Sequence, residues 1–527
     1  MFFTSSNFIF FFALSLAAVC LSSQRSRPWV ILAFNIVFYL FSGFAGFCCL
    51  AFTCVSTWYC GYRIESLTEQ RALARACESM EDEERKAVLA RIGASKRRWL
   101  VLCVVLNLSV LGLAKYTMFV LDNIGSLFFA AGFSVKLPEL QMLFPLGISF
   151  YTFKAIAYVT DTYRSPKPGK GDKNPVNVAA FISFFPEVVQ GPISRYGALD
   201  GTFLNPAPLT AEETAAAVRR ILWGFFKKLV IADRLMPTLF ALPGISEEQP
   251  AGAYALMTAL VYAVTLYADF TGGIDITIGA ARLMGVKVAE NFNSPFLARG
   301  IADYWRRWHI TMGTWFRDYL LYPFSTSRFM LWLQRVVKRA FGPSVSKHIH
   351  AAVVTMTMWF CVGVWHGATW NFIVWGLVNG VVFVVTQELE PLYARFHGRF
   401  GFTRSRGYAA FQIVRTFLMM AFIHTLDIYP TAGATLRAFF SIFINFDAAA
   451  VAANGLEALP LTTTDCVIAG LGTALMIATC FFAKRAAGKT PLLSVCLIHS
   501  VLLLTATLVF GCYGIGYDAQ QFIYNRF

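Results

Sequence analysis

The sequence predicts an all-α polytopic membrane protein, and three observations carry that prediction. The residues AVILMFWYC make up 57% of the 527 and charged residues only 14%, with a mean hydropathy of +0.56. A soluble domain averages roughly 45–50% apolar and about 25% charged, so no soluble core absorbs this much apolar side chain. Apolar runs long enough to cross hydrocarbon recur along the whole chain, separated by basic segments. The 12 cysteines include no CxxC pair and lie mostly inside those runs, as at Cys48, Cys49, Cys103 and Cys361. They read as buried thiols, not as a disulfide framework or a metal site. Disorder, a secreted disulfide scaffold and a multidomain cytosolic enzyme are excluded together. The net charge of +15 would suggest nucleic acid in a soluble domain. Here it reads as the basic loops that hold membrane topology, so no nucleic-acid partner is expected.

Residues 1–527 are read as one integral membrane domain of about a dozen crossings. The run Asn7–Leu21 lacks a basic flank before it and has Arg25 and Arg27 after it, the pattern of an uncleaved first helix with its start outside. The run from Pro28 to about Gly61 is too long for one crossing and is basic at both ends. Two short crossings with a turn near Gly43 and Gly46 resolve it. Residues 62–98, with nine basic and seven acidic side chains, read as a charged helical loop in the cytoplasm. Further runs fall near 99–121, 141–161, 177–196, 216–241, 252–268, 350–386, 409–427, 434–447, 464–484 and 491–513, the 350–386 run being long enough for two crossings. Lys484, Arg485 and Lys489 mark a cytoplasmic turn and leave the C-terminal end outside.

Polar residues inside apolar runs are costly and therefore informative. Of seven histidines, His366 stands in VGVWHGATWNFIVWGLVNG, which holds no acidic or basic residue. Imidazole can take and give a proton near neutral pH, and burial among Trp365, Trp370 and Trp375 favours the neutral base. The plain alternative is a packing histidine bonded to a neighbouring carbonyl. His309 lies in ADYWRRWHITMGTWFRDYLLYP, where Trp305, Trp308, Trp315 and Phe316 alternate with Arg306, Arg307, Arg317 and Asp318. At a period of 3.6 this reads as one amphipathic helix at the membrane interface. Nine basic residues against two acidic ones between Ala298 and Lys347 make the region a simple anchor or a cytoplasmic dock for the phosphates of an anionic donor. Asp161 and Arg164, the group Glu187, Gln190 and Arg195, and the pair Asp269 and Asp275 around a Gly-Gly step suggest broken or re-entrant helices along a wet cavity. Interhelical hydrogen bonding is the alternative there. No P-loop, G-x-S-x-G or H-E-x-x-H is present.

The segments PLGISFYTFKAIAYVTDTYR, FFPEVVQGPISRY, DFTGGIDITIGAARLMG, ENFNSPF, DYWRRWHITMGTWFRDYL and VWHGATWNFIVWG, in that order, resemble the membrane-bound O-acyltransferases. The branch is similar to the bacterial alginate O-acetylation protein, with the D-alanyl transfer protein of teichoic acid synthesis a cousin. The motif-bearing core is Pro145–Gly380, and the ending QFIYNRF also resembles that branch. The resemblance implies helices around a central funnel, His366 as the catalytic histidine in the channel and His309 as the second family histidine. Two positions depart from the family pattern: Tyr322-Pro323-Phe324-Ser325-Thr326 stands for Y-I-P-L-G-G, and Asn379 stands for the last histidine of W-G-x-x-H-G. Both point away from alginate as the acceptor.

The resemblance implies acyl transfer, acetyl foremost, from a cytoplasmic acyl-CoA (acetyl-CoA) or acyl carrier protein toward a cell-surface polysaccharide. The setting is the bacterial inner membrane and its lipid, with an extracytoplasmic acetyltransferase or esterase-like partner. Neither a bound cofactor nor a metal is expected. His366 acts as base, and His309 orients the thioester or polarises its carbonyl. Arg306 and Arg307, helped by Lys338 or Arg339, hold phosphates. Trp305, Trp308, Asp269, Gln190 and Asn371 complete the expected substrate-binding set. D-alanyl or other acyl transfer from a carrier protein, and a non-enzymatic acyl or glycan transporter, stay open beside this reading.

Overall fold

The computed structural model describes residues 3–134, 145–203, 206, 208–241, 251–449, 461–486, 492–514 and 517. The ending QFIYNRF, Lys489 and the first residues of the 141–161 run lie outside the described residues. Every described element is helical. Eight helices among the described residues are long and apolar enough to cross a membrane, and four shorter apolar ones, Ser6–Leu21, Arg27–Leu40, Pro175–Val188 and Ala432–Ile444, accompany them. The chain is thus an all-α, multi-pass membrane protein. Its large exposed aliphatic and aromatic side chains on the spanning helices, such as Leu471, Val501 and Leu502, are what a lipid-facing surface requires.

The chain divides into two compact units, residues 1–209 with 280–289, and residues 210–279 with 290–527. In the first, Gly43 at φ +114 turns the chain between Arg27–Leu40 and Phe44–Ala76, at the turn expected there. The charged 62–98 segment is no separate element. It is the polar end of Phe44–Ala76 and the polar start of Asp82–Ala130, two helices of 33 and 49 residues joined at 77–81. Asn35, fully buried, donates from Nδ2 to Ala180 O at 3.2 Å and Ser183 Oγ at 2.9 Å and accepts from Phe185 N at 3.1 Å. One side chain thereby satisfies three groups where Pro175–Ile182 ends and Phe185–Val188 begins. The break expected at 184–196 is present. The 151–164 segment instead forms an unbroken helix, Ile148–Arg164.

In the second unit the Gly272–Gly273 step does not break its helix, contrary to the expectation of a re-entrant turn. Gly252–Leu283 runs through it. The reason is close packing: a Cβ on Gly224 would meet Gly272 O at 2.6 Å, and one on Gly272 would meet Gly224 O at 3.0 Å. The glycines let two backbones touch. Arg328–His366 kinks at Gly342 (φ +86), before Pro343, then packs against Trp370–Glu388 through Gly363 and Gly376. A Cβ on either glycine would strike backbone of the opposite helix.

Candidate active site

His366 is the last residue of Arg328–His366, and the chain leaves the helix through Gly367 in extended conformation before Trp370–Glu388 begins. A Cβ at residue 367 would collide with the Phe372 ring, so the W-H-G step lets that ring close beside the histidine. His366 is half-buried. Its ring lies 4.8 Å from Trp365 and 4.7 Å from Trp375, centroid to centroid, both edge-on.

The Arg- and Trp-rich segment is not the single interfacial helix its period suggests. It is Ile301–Trp305, a break, Ile310–Phe316, a π-helical turn Arg317–Leu321 and Tyr322–Ser325. His309 sits in the break with φ +45, a left-handed conformation. What holds it there is the side chain of Asn291. Its Oδ1 accepts from Thr311 N at 3.0 Å, Thr311 Oγ1 at 2.9 Å and His309 Nδ1 at 3.2 Å. Only an oxygen can accept from a backbone N–H, so the amide orientation is fixed, and His309 must carry its proton on Nδ1. Nε2 then bears the lone pair. Complete burial pushes the His309 imidazole down to about 3, so it is neutral. In this form it suits accepting a hydrogen and does not suit polarising a carbonyl. Asn291→Ala would strand these donors, and a buried group left unpaired costs about 1–3 kcal/mol. The expected result is a lowered thermal midpoint in detergent, with Asn291→Asp, which keeps an acceptor, close to wild type.

The two motif histidines meet on one indole: the His309 ring lies 6.0 Å from Trp365, the neighbour of His366. Trp305 and Trp308 belong to the same aromatic wall. Trp305 packs on Trp359 and Trp375 at 4.8 and 5.7 Å and donates from Nε1 to Asn379 Oδ1 at 3.2 Å. Asn379, the position that departs from the family pattern, therefore steadies this wall. Trp308 is buried and stacks on Tyr304 at 5.5 Å. Both tryptophans pack inward, which corrects the interfacial reading: Trp308 also meets Tyr267 and Phe270 of Gly252–Leu283, and Trp305 meets rings of two other helices.

The other expected binding residues are more dispersed. Arg306 is exposed, 3.9 Å from Asp303; Arg307 is mostly buried, bonded to Asp303 at 2.9 Å. Burial alone would raise the Asp303 carboxyl, but its bonds from Arg307 and the Arg299 backbone bring it below the usual range. Asp269 is fully buried and ion-paired to Lys228 at 2.7 Å. Asn371 donates to Tyr429 O at 2.7 Å. Gln190 belongs to the first unit, fully buried, its amide without a hydrogen-bond partner. Sequence reasoning passed over His424, which the structure sets among Trp305, Trp308 and Trp375, and over Asn291. Both carried a signal: His424 is a polar residue in the apolar 409–427 run, and Asn291 lies within ENFNSPF.

A family model for the membrane-bound O-acyltransferases matches residues 146–429. The chain belongs to the membrane-bound O-acyltransferase family. Both histidines, the aromatic wall and His424 fall inside the matched region. Among the relatives of this O-acyltransferase-family chain is the "Probable alginate O-acetylase" of Azotobacter vinelandii, 35% identical over 57% of this chain and 57% of the relative. A "Peptidoglycan O-acetyltransferase" of Helicobacter pylori is 33% identical over 58% of each. A "Teichoic acid D-alanyltransferase" of Bacillus subtilis is 30% identical over 48% of this chain and 61% of the relative. The chain thus spans somewhat over half the length of these relatives.

Proposed function

We propose that this protein is an O-acyltransferase of the bacterial inner membrane. It takes an acyl group, acetyl foremost, from a cytoplasmic thioester and passes it toward a cell-surface polysaccharide through an extracytoplasmic partner. The observation that carries the reading is the meeting of His366 and His309 on Trp365 within one aromatic wall. Two relatives whose names state O-acetyl transfer support acetyl as the group.

The chemistry follows from the residues. His366 takes the proton of an acceptor hydroxyl as its oxygen attacks the thioester carbonyl. The C–O bond forms, the C–S bond breaks, and the departing thiolate takes up the proton, leaving an ester and a thiol. The imidazolium formed in passing sits at the carbonyl end of the helix that follows the Gly342 kink, which favours positive charge there. Tryptophan on several sides limits water at the thioester. His309, set beside Trp365 in the same wall, holds donor or acceptor in register. Arg306, being exposed, meets the donor's phosphates, and Arg307 with Asp303 braces the turn that presents it.

The test is transfer in membranes carrying the protein, given acetyl-CoA labelled in the acetyl group. Label on surface glycan or on a partner protein is the expected result. No label from acetyl-CoA, with transfer from a D-alanyl-loaded carrier protein, would replace the donor assignment and make the group the D-alanyl stated in the Bacillus subtilis relative's name.

A further inference from the structure

His424 ends the helix Arg406–His424, and it is 4% exposed in a chain that charges heavily for a buried polar ring. Its ring lies 5.3 Å from Trp308 and 6.1 Å from both Trp305 and Trp375. Trp375 in turn lies against His366. The Trp375 indole N–H has no hydrogen-bond partner, so ring contacts alone set its angle. Such contacts are weakly directional. A hydrogen bond to one of the packing rings supplies the missing direction, and His424 has one: Nε2 and Tyr304 Oη lie 3.1 Å apart. Behind it, Asp427 Oδ2 sits 4.0 Å from His424 Nδ1 and accepts from Tyr262 Oη at 3.2 Å. At that distance Asp427 makes no hydrogen bond to the ring, and Nδ1 has no partner, so the bond to Tyr304 is what directs the ring. The space it shares with Tyr304, Trp308 and Met420 admits no water-sized void. Among these contacts an apolar ring would fill the same volume but leave Tyr304 Oη without this partner.

We infer that His424 is a positioning residue for the acyl-transfer site: bonded to Tyr304, it fixes the tryptophan wall and, through Trp375, the angle of His366. The inference rests on the acyltransferase reading for its catalytic consequence, but not for its structural one. His424 touches neither His366 nor the reacting atoms; it sets the ring that does.

The test reads His366 directly. In intact membranes, the rate of carbethoxylation of His366 by diethyl pyrocarbonate is followed by mass spectrometry in wild type, Tyr304→Phe, His424→Phe and His424→Gln. Tyr304→Phe removes one oxygen and keeps the stacking, so it remains informative should His424→Phe fail to accumulate. The expected result is a change of about threefold or more in the His366 rate in both phenylalanine variants, with His424→Gln, which keeps a polar partner for Tyr304, nearer wild type. Acetyl transfer is expected to fall about tenfold in kcat with KM for acetyl-CoA held. Unchanged His366 labelling in both phenylalanine variants would overturn the inference. Altered labelling together with a wild type that transfers nothing from acetyl-CoA would instead overturn the donor assignment and leave His424 in its role. Equal loss in His424→Gln and His424→Phe, with a lowered thermal midpoint, would reduce His424 to packing and also overturn it.

Discussion

Replacing His366 with alanine is expected to lower acyl transfer by about 10²–10⁴-fold, the usual worth of a positioned general base, while leaving the protein folded. The folding half of that statement comes from position. His366 is half-buried at a helix terminus, and its nearest rings, Trp365 and Trp375, are held by many other contacts. The chemical half comes from elimination within the wall. Its other rings are indoles and phenols. His309 is fixed by Asn291 in a neutral tautomer, and His424 is occupied by Tyr304. Initial rates at saturating donor, normalised to protein in the membrane, give the measurement. A His366→Ala protein that keeps half of wild-type activity would remove His366 from the chemistry. The parallel variant at the second histidine is His309→Asn. Asparagine tolerates the left-handed backbone at φ +45, so this change tests the imidazole apart from the turn it occupies.

The helices were legible because lipid enforces long apolar runs, and the motif histidines because polar groups in such runs stand out. What stayed hidden were features made by residues far apart in the chain. The period of 302–323 reads as one helix, yet the chain breaks at His309 because Asn291, 18 residues earlier, offers Thr311 and His309 an acceptor that a continuing helix would not use. The Gly272–Gly273 step reads as a break, yet the opposite backbone at Gly224 makes it a packing contact. His424 had the same signal as His366, but its meaning depends on three rings far from it in the chain, Trp305, Trp308 and Trp375. Lys227 and Lys228, adjacent in the apolar 216–241 run, were equally visible and equally mute until the π-helical turn Phe226–Ala232 brought both to bear on one helix. A π turn admits an extra residue, and here two successive lysines reach Asp275 and Asp269 on Gly252–Leu283.

That pair leads to the largest stability effect expected. Lys228 is fully buried, with Nζ 2.6 Å from Asp233 and 2.7 Å from Asp269, both carboxylates also buried. Lys228→Met would leave two carboxylates facing one another in a low-dielectric interior. Breaking a buried pair from one side costs about 3–5 kcal/mol, against a total stability of about 5–15 kcal/mol for a typical protein. The expected outcome is little or no folded protein in the membrane, read by fluorescence-detected size exclusion. Asp269→Asn should behave in the opposite way. It removes one of two negative charges around one lysine, keeps the side-chain shape, and leaves Asp233, which Tyr517 Oη also bonds at 2.8 Å, as the counter-charge. That variant is expected to accumulate normally. Its activity then decides what Asp269 does. Near wild-type transfer would make it a partner of Lys228 alone, whereas a rise in KM for donor or acceptor with folding intact would restore it to the substrate-binding set.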